Sequence, residues 1–212
     1  MTPSNGMLAR LYRTGGFADI SIGTETKTFQ VHKSIVCTQS SFFAAALTGK
    51  SQEAEARHID VEEPEAIIDN LLHHMYELEV PLLGTELLIR IQRTVWEIPM
   101  ESMEGRVRAL LQLQAAADKY GVVGLTELCS AAIMPWLFPW PRSATLTKLG
   151  VLLWSDNRPI NHAARDKVVD LTARNAAVVR DDEAWTTLHS NSQYCKEVLK
   201  YAMKEHRAGG NL

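Results

Sequence analysis

The sequence predicts an α+β fold, in which a small sheet of short strands is flanked by a cluster of α-helices and followed by an all-helical C-terminal extension. Two runs within residues 17–32 alternate apolar and polar positions, the pattern of a β-hairpin. The segments on either side of this hairpin place apolar residues three and four positions apart, which is the spacing of a helix face. From residue 143 onward only helical patterns follow.

Composition narrows the class of protein. The chain has 212 residues, of which 46% are hydrophobic, and this is enough for a real core. Its 22 basic and 25 acidic residues are spread along the chain and give a net charge of -3, so no sustained field attracts nucleic acid or a membrane surface. We expect no secretory signal, because residues 1–11 have no long apolar stretch, and the sequence contains no run near the roughly 20 apolar residues of a spanning helix. We therefore expect an intracellular protein, in the cytoplasm, the nucleus or both, with its three cysteines reduced.

The chain begins with elements that frame the hairpin. Residues 1–6 are expected to be flexible, and Leu8, Leu11 and Tyr12 then lie at helical spacing. The diglycine at residues 15–16 ends this helix. Strands are predicted over 17–22 and 27–32, joined by a polar turn that contains glycine.

A two-part helix and a third strand are predicted next. Ser34 is the expected cap of the first part, and Ser40 and Ser41 begin the second, which ends at Gly49. Residues 58–62 alternate as a third strand, and Pro64 is expected in the first turn of the following helix. The predicted core positions of these helices are Phe42, Phe43, Leu47, Ile68, Leu71, Leu72 and Met75.

Prolines and glycines divide the rest of the chain. They interrupt residues 79–104, where we expect a peripheral insertion, and they recur through the tryptophan-rich residues 135–142, which we expect to form a connector. Between these segments, helices are predicted over 107–120 and 125–134. Four further helices are expected within 143–206, the last two capped by Asp182 and Asn191, before a frayed tail at 207–212.

No catalytic or cofactor motif has the context that it needs. Gly49-Lys50-Ser51 resembles part of a phosphate-binding loop, but Ala44 stands where that loop needs a glycine, and the segment follows a helix. The adjacent His73 and His74 point in different directions on a helix, and neither begins a metal-binding pattern. We therefore expect no enzyme, no cofactor and no metal. Because triads need not be close in sequence, a cryptic site that uses His58, His73 or His74 remains a remote alternative.

Several segments together resemble a known family. Residues 17–22, residues 29–37 with their Phe-Gln-Val-His-Lys run, and the Ser-Ser-Phe-Phe of residues 40–43 look like the opening of a BTB/POZ domain. Residues 59–61, 75–76 and 115–120 continue in the order of that family. The resemblance covers residues 7–134. The sequence as a whole is similar to small stand-alone fungal BTB proteins with a helical C-terminal extension.

The resemblance implies a protein–protein interaction module that forms a homodimer and acts as an adaptor or scaffold. Its dimer interface would include Leu8, Leu11 and Tyr12, with Asp19 facing the basic Lys33. Its partners would be an unknown client protein and a cullin-3 ubiquitin ligase, docked near Tyr76. The alternative is a transcriptional or chromatin regulator that dimerises without recruiting a ligase. His32, beside Lys33, is expected to hold the scaffold together and not to catalyse.

Overall fold

Two units make up the chain in the computed structural model, which describes residues 4–48, 52–84, 100–134, 143–155, 162–175 and 181–209. The first unit comprises Met1–Arg93 and Ala109–Cys129, and the second comprises Thr94–Arg108 and Ser130–Leu212. The α+β class predicted from the sequence is confirmed, because the first unit contains a three-stranded sheet among helices and the described part of the second unit is helical.

The sheet has the strand order β2-β1-β3. Strands β1 (Ile20–Gly23) and β2 (Thr28–Val31) form the predicted antiparallel hairpin, whose turn is closed by a 2.8 Å hydrogen bond from the Thr24 amide to the Lys27 carbonyl. Strand β3 (His58–Asp60) lies parallel to β1 on its other side. A parallel neighbour needs a crossover connection, and here the helices between β2 and β3 supply it.

The predicted helices of the first unit occur in the predicted order, and a further short helix at Gln52–Ala56 was not predicted. Ser40 caps α3 as expected, because its side chain accepts a hydrogen bond from the Phe43 amide. Ser34 does not cap α2, which begins one residue earlier at Lys33. The helices up to the 79–104 segment are α1 (Ser4–Thr14), α2 (Lys33–Gln39), α3 (Ser41–Leu47), α4 (Gln52–Ala56) and α5 (Glu65–Met75), followed by a short 3-10 helix (Pro81–Leu83).

Two further helices complete the sequence matched by the resemblance. They are α6 (Met100–Lys119) and α7 (Leu125–Ile133), joined by a turn in which Gly121 adopts a left-handed φ of 58°. The core of the first unit includes all four predicted positions of α5, together with Phe43 and Leu47. Phe42 differs from the prediction because it is 39% exposed at the edge of that core.

The second unit contains the four helices predicted beyond residue 143. They are α8 (Ser143–Ser155), α9 (His162–Arg174), α10 (Asp182–Ser190) and α11 (Ser192–Gly209). Asn191 caps α11 as predicted, but α10 is capped by Asp181, whose carboxylate accepts from the Glu183 and Ala184 amides. The prediction that Asp182 caps this helix was therefore wrong by one residue. The buried side chains include Leu146, Leu149, Leu153, Ala164, Val168, Leu188, Tyr194 and Val198.

Some predicted segments lie outside the described residues, and the two ends of the chain differ from the prediction. The connector at 135–142 and most of the segment at 79–104 lie outside them. At the N-terminus, α1 already begins at Ser4, inside the stretch predicted to be flexible. At the other end, α11 continues to Gly209, because nothing before its terminal glycine breaks a helix, so it enters the predicted tail.

Candidate functional site

Asp19 and Lys33 lie at the junction between the hairpin and α2. The Asp19 carboxylate accepts a 2.7 Å hydrogen bond from the Lys33 backbone amide and so caps α2 from outside the helix. The Lys33 ammonium donates to the Leu47 carbonyl at 2.6 Å, at the C-terminal end of α3. Within the described residues no ion pair joins the two side chains. Both side chains therefore have structural roles inside one copy of the chain.

His32 and Tyr76 form a buried pair beneath this junction. The His32 Nε2 atom lies 2.7 Å from the Gly16 carbonyl, which can only accept, so the proton sits on Nε2. The Tyr76 hydroxyl then donates to Nδ1 at 2.7 Å and accepts from the His32 amide at 2.9 Å. Burial raises the pKa of Tyr76 to about 12. The predicted scaffold role of His32 is confirmed, with a tyrosine hydroxyl in place of a second backbone group.

Because Tyr76 is fully buried, its ring offers no surface to a partner. The neighbouring Glu77 and Glu79 are exposed, whereas Leu78 is half-buried. A docking surface in this region would therefore consist of these neighbours, with Tyr76 fixing their positions from below.

Helix α1 packs one face on its own chain. Leu11 and Tyr12 lie against the core, and the Tyr12 hydroxyl donates to an Asp69 carboxylate oxygen at 2.7 Å. Burial and the Asp69 contact raise the pKa of Tyr12 above its ordinary value. Leu8 is half-buried, and Met7 is 66% exposed. The predicted interface residues of α1 are thus partly packed on the core and partly exposed to solvent.

A cavity of about 510 Å³ opens between α1, β2 and α5. Tyr12, Phe29 and Leu78 contribute its larger apolar side chains, and Arg13 and Lys27 contribute cationic groups. The Lys27 ammonium lies 4.5 Å from the centre of the Phe29 ring, a cation–π distance. The cavity therefore combines aromatic walls with two cations and the carboxylate of Asp69.

Phe17 is a residue whose conformation the sequence did not reveal. It was expected to begin the first strand, but β1 starts three residues later, and Phe17 has a φ of 66° and a side chain that is 95% exposed. The left-handed conformation is unfavourable for a residue with a Cβ atom. The preceding diglycine was a weak sign that the strand begins late, because glycines favour turns.

Ser21, His58 and Asp60 form a hydrogen-bonded chain on the outer face of the sheet. The Ser21 hydroxyl lies 2.7 Å from His58 Nδ1, and His58 Nε2 lies 2.9 Å from an Asp60 carboxylate oxygen. This order of groups resembles a nucleophile, a base and an orienting acid. The Asp60 side chain is 85% exposed, however, and none of the three residues lines the cavity described above.

The described residues contain no cluster of three or more histidine, cysteine or acidic side chains suited to a metal ion. Among the same residues, no helix is both long enough and apolar enough to cross a membrane.

Comparison with known proteins identifies the first part of the chain. The family profile described as "BTB/POZ domain" matches residues 8–134. Kelch repeat and BTB domain-containing protein 4 from Pongo abelii, Mus musculus and Homo sapiens is in each case 33% identical over 72 residues. The aligned stretch is 34% of this chain and spans 14% of the length of each relative. The match to this profile confirms the resemblance to BTB/POZ domains that the sequence analysis identified.

Proposed function

The chain belongs to the BTB/POZ domain family, whose domain is a protein–protein interaction module, and from this we propose that it is a homodimeric adaptor or scaffold. The relatives named above combine the same domain with kelch repeats, an arrangement that suits an adaptor. We place the module at residues 7–134 and a helical extension at 143–206. The similarity to stand-alone fungal BTB proteins is a further prediction that these mammalian relatives do not address.

One observation carries the proposal of self-association. The side chain of Met7, within the half-packed helix α1, is 66% exposed, and that of Phe17, three residues after this helix ends, is 95% exposed. A single exposed apolar residue is ordinary, but two large ones next to a partly open amphipathic helix are typical of an interaction surface. We propose an interface that includes Leu8, Leu11, Tyr12, Asp19 and Lys33.

The oligomeric state tests this proposal directly. Light scattering on the full chain, after size-exclusion chromatography, should give twice the monomer mass of 23.7 kDa. The mass should fall toward that of a monomer on dilution, because a non-covalent dimer obeys mass action. A monomer mass at every concentration that can be reached would overturn the homodimer.

The charged pair can be tested without disturbing the cap on α2. Asp19→Asn removes the charge but keeps an amide oxygen that accepts from the Lys33 backbone amide. If Asp19 faces Lys33 across the interface, this variant should have a lower dimer affinity than the wild type and an unchanged circular dichroism spectrum. Lys33→Gln should act in the same direction. Unchanged affinity in both variants would show that the pair plays no part in association.

We further propose that the chain docks cullin-3 through the surface around Tyr76. Glu77 and Glu79 are the exposed side chains of this region. Titration calorimetry with the N-terminal region of cullin-3 should detect binding that Glu77→Lys weakens, because charge reversal in an interface costs affinity. An absence of binding would leave a plain interaction module without a ligase.

We propose an intracellular location, in keeping with the three free thiols of the chain. Imaging of the tagged full chain tests this and separates two roles. Cytoplasmic or mixed signal agrees with an adaptor, whereas signal confined to chromatin would favour the transcriptional alternative.

We also propose that the chain is not an enzyme. An aspartate that is 85% exposed is solvated by water and orients a histidine poorly. Hydrolysis of a nitrophenyl ester should therefore be the same for the wild type and Ser21→Ala. A rate that depends on Ser21, together with labelling of that residue by a fluorophosphonate, would instead establish a hydrolase.

A further inference from the structure

Phe17 combines two unfavourable features that the isolated chain does not compensate. Its φ of 66° lies in the region that residues with a Cβ atom avoid. Its side chain is 95% exposed, so the ring gains almost no burial within its own copy. Strain that persists in a well-ordered backbone is often connected with function.

The backbone around Phe17 is held on both sides. The Gly15 amide donates to the Leu11 carbonyl at 2.9 Å, and the Gly16 carbonyl accepts from His32 Nε2 at 2.7 Å. After Phe17, the Ala18 amide donates to the Gly15 carbonyl at 3.1 Å. The backbone at Phe17 is therefore already ordered before binding. Association would cost little conformational entropy at this position.

The cavity between α1, β2 and α5 has the chemistry that an aromatic ring needs. Tyr12 offers a ring face and edge, and Arg13 offers a cation that can lie over the face of an incoming ring. Lys27 is already engaged, because it lies over the buried Phe29 ring and pairs with Glu65. A cavity of about 150 Å³ already accommodates benzene, and this one has a volume of about 510 Å³. A phenylalanine side chain would fit with room for its backbone to approach.

Phe17 lies close to this cavity along the chain. Thr14 and Gly15 line the cavity, and Phe17 follows Gly15 by two residues. A two-fold interface uses the same patch on both copies, so a protruding group and its recess must both lie within that patch. Two cations, Arg13 and Lys27, line the cavity together with the Asp69 carboxylate, and the exposed Asp19 that accompanies Phe17 carries the charge opposite to that of Arg13.

We propose that Phe17 of one copy inserts into the cavity between α1, β2 and α5 of a second copy, and that the second copy does the same in return. This inference rests on the homodimer proposed above and assigns its central contact. The occupant is a second copy of this chain because Phe17 follows the cavity-lining Gly15 by only two residues, which allows one two-fold patch to contain both the recess and the group that fills it.

Replacement of Phe17 by glycine separates association from folding. Glycine accepts the left-handed φ without strain, so Phe17→Gly should leave the thermal unfolding midpoint of the monomer unchanged or raised. The same variant should raise the dissociation constant of the full-chain dimer at least tenfold in analytical ultracentrifugation. Val123→Ser is the matched control, because Val123 is an apolar side chain of the same unit that is 70% exposed. That variant should associate like the wild type.

The outcomes distinguish this inference from the proposal on which it rests. If the wild type is a dimer and Phe17→Gly dimerises equally well, the Phe17 contact is wrong and the homodimer stands. A wild type that stays monomeric overturns both. A large fall in the unfolding midpoint of Phe17→Gly, measured at concentrations where both it and the wild type are monomeric, would show a structural role within one copy and would also overturn the contact.

Photo-cross-linking locates the other side of the contact. A benzophenone amino acid in place of Phe17 should give a covalent dimer on illumination of the full chain. Mass spectrometry of that dimer should find the attachment within residues 9–15, 27–30 or 69–78, where the cavity-lining residues lie. Attachment elsewhere in the second copy would assign Phe17 to a different surface.

Discussion

Glu63 is a carboxylate held by two donors from the end of α6 and the turn that follows. It accepts a 2.8 Å hydrogen bond from the Lys119 ammonium and another from the Tyr120 hydroxyl. Burial alone would raise the pKa of Glu63, but these two donors lower it overall. The Tyr120 ring is itself buried and stacked on Phe43 at 5.4 Å between centroids. One carboxylate therefore ties the segment before α5 to the aromatic core.

We predict that Glu63→Gln destabilises the protein at neutral pH and has less effect in acid. Because the folded pKa of Glu63 is lowered, its stabilisation is present above the unfolded value of about 4.3 and is lost as the pH falls through the folded pKa. The loss near neutral pH should be about 1.5–3 kcal/mol, the range for a hydrogen bond to a charged group. Urea unfolding at several pH values measures it.

The neighbouring Glu62 provides the control for this variant. Its side chain is exposed, so Glu62→Gln should change the free energy of unfolding by less than about 0.5 kcal/mol. A Glu63→Gln effect that stays constant from neutral to acid pH would show that the ionised carboxylate contributes nothing through its lowered pKa.

At the scale of elements, local sequence patterns predicted most helices and the hairpin. They did not predict contacts between residues that are distant in sequence. The diglycine stop, the Ser40 cap and the four helices beyond residue 143 depend on neighbours along the chain. The cap on α2 comes instead from Asp19, 14 residues before Lys33. The parallel partner of β3 likewise depends on how the helices cross over, which periodicity does not encode.

Gly150 sets the packing of three helices in the second unit. A Cβ atom at this position of α8 would overlap the ring of Tyr194 from α11. Tyr194 is fully buried, and its hydroxyl shares a 2.6 Å hydrogen bond with Thr172 of α9. The glycine thus allows α8 to approach a tyrosine that is fixed from the other side.

We predict that Gly150→Ala lowers the free energy of unfolding by about 1–3 kcal/mol, the usual cost of overpacking a core. Gly105→Ala in α6 is the matched control, because a Cβ atom there has no neighbour within 4 Å. It should stabilise the protein by up to about 1 kcal/mol, the difference in helix propensity. Denaturant unfolding measures both variants, and a Gly150→Ala protein as stable as Gly105→Ala would contradict the packing described here.

At the scale of the whole molecule, the three cysteines are free and poorly ionised. Burial raises the pKa of Cys129 to about 12, and it also raises the pKa of Cys37 and of Cys195. The thiolate is the reactive form, so such thiols are inert near neutral pH. Their role is packing, and their free thiols agree with the reduced state expected from the sequence.

We predict that iodoacetamide modifies the native protein slowly at about pH 7, with Cys37 first because it is only half-buried. Mass spectrometry should show all three sites modified rapidly in denaturant. The dimer should also survive reducing agent, since no disulfide is expected to hold it. Rapid labelling of Cys129 in the native protein would show that its helix opens readily.

Only some residues of the candidate site could be predicted from the sequence. Family resemblance singled out Asp19, Lys33 and Tyr76, and their roles within one copy became clear only from the hydrogen bonds that each makes. Phe17 was taken as a strand residue because alternation does not reveal the sign of φ. The cavity was invisible for another reason, since it is built from α1, β2 and α5 together.

The first unit is discontinuous along the chain, and this has a consequence for biosynthesis. Ser40, between α2 and α3, donates a hydrogen bond to the Tyr120 carbonyl and lies in a β-bridge with Val122. Translation proceeds at about 5–20 residues per second, so the ribosome needs several seconds to add the 80 residues that separate the two partners. During that interval the hairpin and the helices up to α5 exist without the residues that complete their core. We expect the nascent chain to be a client of chaperones until residues 109–129 have left the exit tunnel.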